Sequence, residues 1–141
     1  MQPIPYRSSG VNYAMRLGPH EDLKKSIQHF AKTEKIKAGI ITTCVGSLEQ
    51  FNIRFANQQE SIQKKGYYEI ISLTGTFSDT SCHLHLAVSD HAGKIIGGDL
   101  MDNNIIYTTA EIVLMELLEL QFDRETDPTY SLKELVIKQR K

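Results

Sequence analysis

Apolar and polar residues alternate along much of this chain, and that period of two predicts a protein built mainly from strands. Val11, Tyr13, Met15 and Leu17 alternate with Asn12, Ala14 and Arg16 and read as a first strand. Gly18-Pro19 breaks it. Leu23, Ile27, Phe30 and Ala31 then recur at helical spacing, with Lys24, Lys25, Gln28 and Lys32 on the wet side. Pro19 suits a first helical turn, and Glu21 and Asp22 suit its positive end, so the spacing predicts a helix over 19–33. Ala38–Val45 is a β-branched apolar run and reads as a buried strand. Gly46-Ser47 reads as a turn. Leu48, Phe51, Ile53 and Phe55 suggest a half-buried strand, and the polar residues 56–65 an exposed loop. Tyr67–Phe77 is a long strand candidate, and Ser78–Ser81 a hairpin turn into the run Cys82–Ser89.

Asp90–Gly93 turns the chain again, and Lys94–Ile96 resumes a strand. The segment 105–120 carries both periods. Ile105, Ile106, Tyr107, Thr108, Thr109, Ile112 and Val113 suit a pleated surface, which assigns 105–115 to a strand and leaves 116–122 open. Arg124–Pro128 reads as a loop, and Ser131–Ile137 as a short helix or an edge strand. The sum is an α+β domain: antiparallel strands joined by short turns, with at least one helix laid on one face.

Length and composition narrow this picture. At 141 residues the chain is one domain, 1–141, with a core over about 11–130. No apolar run reaches the ~18 residues that span a bilayer. The first five residues lack the features of a secretory signal, so the expected location is cytoplasmic. Two cysteines, Cys44 and Cys82, lie in apolar runs and read as small buried hydrophobes. The net charge is −1, with no basic stripe, which argues against a surface that grips phosphate backbones by itself.

The run Cys82–Ser89 carries the chemistry. Successive side chains of a strand point to opposite faces, so His83 and His85 share one face while Cys82, Leu84, Leu86 and Val88 cover the other. Two imidazoles two residues apart can grip one metal ion or line one pocket. Arg54 and Glu69, charged residues on strands, read as a polar pocket, an intersubunit ion pair or a solvent-facing rung. Tyr67 and Tyr68 point to opposite faces.

Arg16–Leu23, Val45–Leu48, Gly66–Phe77, His83–Asp90, Gly93–Leu100 and Tyr107–Glu111, in this order, resemble the PPC domain (plants and prokaryotes conserved), the AT-hook-associated family of predicted DNA-binding proteins. The resemblance implies a curved, mainly antiparallel sheet with one or two packed helices and a homotrimer. Plant members join the domain to Arg-Gly-Arg-Pro segments that enter the minor groove. No such segment occurs here, since the prolines at 3, 5, 19 and 128 never follow Arg-Gly-Arg. In plant members a Gly-Arg-Phe-Glu-Ile-Leu segment contacts other proteins. The matching positions are Gly66, Tyr67, Tyr68, Glu69, Ile70 and Ile71, with tyrosines in place of Arg and Phe.

The fold so implied is also similar to that of acetolactate decarboxylase and a related ester hydrolase, which hold zinc with a histidine pair on a strand and a further histidine downstream. Asp99 stands at that third position here, in Gly97-Gly98-Asp99-Leu100. Zinc accepts imidazole and carboxylate, so His83, His85 and Asp99 are the metal candidates, with His91 and His20 as alternative third ligands and metal-free pocket histidines as the other reading. The glycines beside Asp99 would let the backbone approach closely. Glu111 stands in an apolar run, where a carboxylate needs a partner. It is a general acid/base candidate or, by preference, half of an ion pair across a trimer interface. Three functions follow. One is a stand-alone homotrimeric binding or regulatory protein with a protein partner or a weak, salt-dependent DNA association. Another is a zinc-dependent lyase or hydrolase acting on a small acid or ester. Sensing of a small ligand between subunits, without turnover, is a third. Whether the chain is an enzyme stays open at this stage.

Overall fold

β1 (Gly10–Leu17) leads into the helix α1 (Leu23–Thr33) in the computed structural model, which describes residues 2–141. The helix begins four residues later than its spacing predicts. Asp22 is its N-cap, accepting a hydrogen bond from the Lys25 amide at 3.1 Å. Residues 20–23 are held instead to the segment 104–106: the His20 and Leu23 amides donate to Ile106 and Asn104 carbonyls, and the Ile106 amide donates to Glu21. Leu23, Ile27 and Ala31 bury the apolar stripe of α1 against the sheet.

The runs 38–45 and 48–55 are one strand, β2 (Gly39–Arg54). Gly46 does not turn the chain. It sits at an irregularity in the pairing, so close to a neighbouring strand that a Cβ would lie 2.2 Å from the Thr109 carbonyl oxygen. Glycine here lets a long strand bend without breaking. β3 (Ile62–Phe77) starts inside the expected loop, because Phe51, Asn52 and Ile53 pair with Lys64, Gln63 and Ile62. Side chains 61–65 are all exposed, so no alternation marks the strand. β4 (Cys82–Ser89), β5 (Ile95–Leu100) and β6 (Ile105–Leu117) follow the expected course.

The sheet runs β1-β6-β2-β3-β4-β5, antiparallel throughout, and β2 also pairs with β5 through Ile53–Leu100 and Arg54–Asp99. It therefore curls until its far edge meets its own middle. The inside of the curl and the buried face of α1 form one core, with Leu84, Leu86 and Val88 on β4 at 0–2% exposure. Each such side chain contributes about 2 kcal/mol by leaving water.

The C-terminal region departs most from expectation. Residues 124–127 are not a loop. β7 (Leu120–Asp127) and β8 (Leu132–Gln139) form a separate two-stranded ribbon. Leu120 and Phe122 pack with Ala38 in a small second core, and the charged remainder carries no apolar alternation to reveal a strand.

Candidate metal centre

β4 turns Leu84, Leu86 and Val88 inward, so pleating turns His83 and His85 outward. Their rings lie edge to face with centroids 5.2 Å apart. The register of β4 on β5 sets Asp99 directly opposite His85. The register of β5 on β2 sets the same residue opposite Arg54. Asp99 is thus gripped from both sides. Its Oδ1 lies 2.9 Å from His85 Nε2 and 3.6 Å from His83 Nε2, and its Oδ2 accepts from Arg54 Nη2 at 2.5 Å. Gly98 makes this possible: a Cβ there would sit 2.4 Å from the Arg54 carbonyl oxygen. Any side chain would push β5 off β2.

Partial burial works against ionisation of Asp99. The hydrogen bond and charge of Arg54, with His85 and His83, outweigh it and hold the carboxyl below its ordinary value. A charged Asp99 at neutral pH is the form a metal needs.

The donor set fits one ion. Donor atoms of His83, His85 and Asp99 all lie within 4.8 Å of one another. Two ligands at zinc bond lengths and a tetrahedral angle stand about 3.4 Å apart, close to the separations found between Asp99 Oδ1 and the two rings. Asp99 would have one oxygen free for an ion while the other is tied to Arg54, the arrangement by which an outer partner orients a ligand. The site opens into a basin of about 990 Å³ lined also by Arg54, Arg124 and Lys133.

The other expected residues lie elsewhere. His20 is bound to Glu49 at 2.8 Å and His91 stands in the turn after β4, so neither joins the cluster. Glu111 is not shut in an apolar run. It is exposed on the outer face of β6, opposite Val45 and Arg16, and does not line the basin. Within Gly66–Ile71, Tyr67, Glu69 and Ile71 face outward, but Tyr68 and Ile70 are in the core, with Tyr68 edge-on to Phe51. Those two are unavailable to a partner. Glu69 accepts from the Ser47 hydroxyl at 3.2 Å. Burial pushes the Cys44 thiol up to about 12 and Cys82 to about 11, so both are inert at neutral pH. Arg124 and Lys133 were invisible as basin residues, because nothing in a charged stretch tells which side of a ribbon meets a pocket.

The model of the Plants and Prokaryotes Conserved (PCC) domain matches residues 5–118, and the chain belongs to that family. A hypothetical protein from Salmonella, solved as a crystal structure, is 36% identical with a TM-score of 0.94, over 96% of this chain and 98% of that one. A plant- and prokaryote-conserved protein from Pyrococcus horikoshii is 29% identical with a TM-score of 0.78, over 95% and 97%. A metal-containing protein from Archaeoglobus fulgidus shares the fold at 23% identity and a TM-score of 0.78, over 96% and 99%. Two bifunctional GlmU proteins of Synechococcus also match, one 43% identical over 96% of this chain and 22% of its own length. The chain spans about a fifth of the length of these curated relatives. The family match ends before β7, so the ribbon lies outside it.

Proposed function

We propose that this chain is a metal-dependent binding protein of the PCC family, in which His83, His85 and Asp99 hold one zinc ion at the mouth of the basin. One observation carries the reading: three donors of the right chemistry converge while the spare oxygen of the carboxylate is tied to Arg54. The metal-containing Archaeoglobus relative of the same fold supports it. Elemental analysis after chelation and reloading tests it. One zinc per chain is expected, lost in His83→Ala and in His85→Ala. Wild-type protein that takes up no zinc overturns it.

A second reading, hydrolysis or lyase chemistry on a small acid or ester, draws on the same site. Three protein donors would leave a fourth position of a bound zinc ion free for water or a ligand. A zinc ion bound there supplies Lewis-acid polarisation of a carbonyl or a bound water with a pKa of about 7. Arg54 orients Asp99, and the imidazoles must stay neutral to serve as ligands. With Glu111 outside the basin, the carboxylate other than Asp99 that lines it is Glu134, and a proton would pass to that group, to solvent or to the ligand itself.

Assembly as a homotrimer belongs to the same proposal. Val45, Tyr67, Ile71 and Tyr107 are exposed on the outer surface of β2, β3 and β6, and the two tyrosine rings meet at 4.9 Å. These apolar side chains flank the Ser47–Glu69 pair on one face, and exposed apolar surface of this kind favours a covering partner. Light scattering is expected to give three chains per particle, and Ile71→Glu to reduce it to one. Any direct DNA association is expected to be weak and to fall steeply with salt.

A further inference from the structure

The ribbon β7–β8 lines the same basin as the metal candidates, and one hydrogen bond ties it to the sheet there. Arg124 donates from Nη2 to the Thr76 hydroxyl at 3.2 Å. Thr76 is the strand partner of His83. The Arg124 guanidinium is therefore held at the strand position next to His83, on the face that carries the histidine pair. Lys133 lies diagonally from Arg124 across the ribbon, since Thr126 pairs with Lys133 and Arg124 with Leu135. Both residues line the basin.

Their charge has no partner among the described residues. Arg54 is committed to Asp99, and Lys138 to Asp123 and Glu125, but Arg124 and Lys133 form no ion pair. Glu134 lines the basin with them, and the nearby acids Asp123 and Glu125 are tied to Lys138. Two unpaired cations, one of them fixed by a hydrogen bond, make an anion site rather than a solvated rung.

We propose that Arg124 and Lys133 form an anion clamp, and that the ligand is a small acid with two anionic ends. One end reaches the metal, and the other, a carboxylate or a phosphate, sits between the ribbon cations. This rests on the metal reading for the first end and on the ribbon alone for the second.

Calorimetric titration of zinc-loaded protein with succinate, phosphoglycolate and acetate tests the clamp. Succinate or phosphoglycolate is expected to bind at least tenfold tighter than acetate, and the tighter of the two identifies the second group. Arg124→Gln and Lys133→Gln are each expected to remove most of that advantage while acetate binding and zinc content stay unchanged. Arg124→Lys, which keeps the charge and the fold contact, is expected to retain part of it. Equal binding of all three acids, or variants that bind like wild type, overturns the clamp while zinc content still reports on the metal. If the protein takes up no zinc, the same titration is run metal-free. Binding of a two-ended acid that is lost in Lys133→Gln then supports the clamp alone, and no binding overturns it.

Discussion

Asp99 and Glu111 are both carboxylates on the outer surface of one sheet, each flanked by apolar strand residues. Their fates differ because their registers differ. The strands beside Asp99 bring up His85 on one side and Arg54 on the other, so its two oxygens have separate tasks. The strands beside Glu111 bring up Val45 and Arg16, and Glu111 forms no ion pair among the described residues. An acid in an apolar run is thus a weak sign of chemistry by itself. What stands opposite in the ladder decides it.

The contrast can be broken by substitution. The largest effect is expected for Asp99→Ala, which should lower zinc affinity by more than 100-fold in competition with a chelating dye, whereas Glu111→Gln should leave it unchanged. Equal losses would erase the distinction. Gly98→Val should force β5 from β2, destabilise the fold by about 2 kcal/mol in urea titration, and weaken zinc binding with it. Arg54→Met keeps the ligand set and removes only the hold on Asp99. A loss of about 10–100-fold in affinity is expected, intermediate between the first two variants.

A third carboxylate gives the smallest effect. Glu119, in the turn between β6 and β7, accepts from the Ser9 and Ser8 hydroxyls at 2.6 and 2.7 Å and from the Ser9 amide at 2.8 Å. The serine hydrogen bonds lower its pKa from 4.5 to about 2. A depressed carboxyl stabilises the folded form above its unfolded value, and the contribution fades as pH falls through the folded one. The Ser9 amide resonance is therefore expected to titrate with its midpoint at about pH 2, while the stability contribution is lost between about pH 4.5 and 2. Glu119→Gln should abolish that inflection without touching the metal site.

The strands that bury one face were legible from the chain. Leu84, Leu86 and Val88 alternate with the histidines, and Val11 to Leu17 alternate likewise, because an interior on one side writes a period of two. Residues 62–65 and 124–127 wrote nothing. Their strands have exposed or charged faces, and backbone pairing holds them without an apolar code. The pairing of His83 with His85 followed from pleating alone. Asp99 came from the family resemblance, and the tie to Arg54 depends on a closure of the sheet that no local pattern records. Arg124 and Lys133 reach the basin through the fold of a ribbon and left no trace.

The seam where β5 meets β2 consists of two residue pairs, the shortest junction in the sheet. The candidate ligands come from β4 and β5, and the anchoring guanidinium from β2, so an ion seated there would act as a rivet across three strands. Ligand binding to the folded form alone raises unfolding free energy by mass action, about 2.7 kcal/mol at a hundredfold excess over Kd. Heat resistance should accordingly climb with the logarithm of free zinc, which makes the melting temperature a gauge of how firmly that seam is shut.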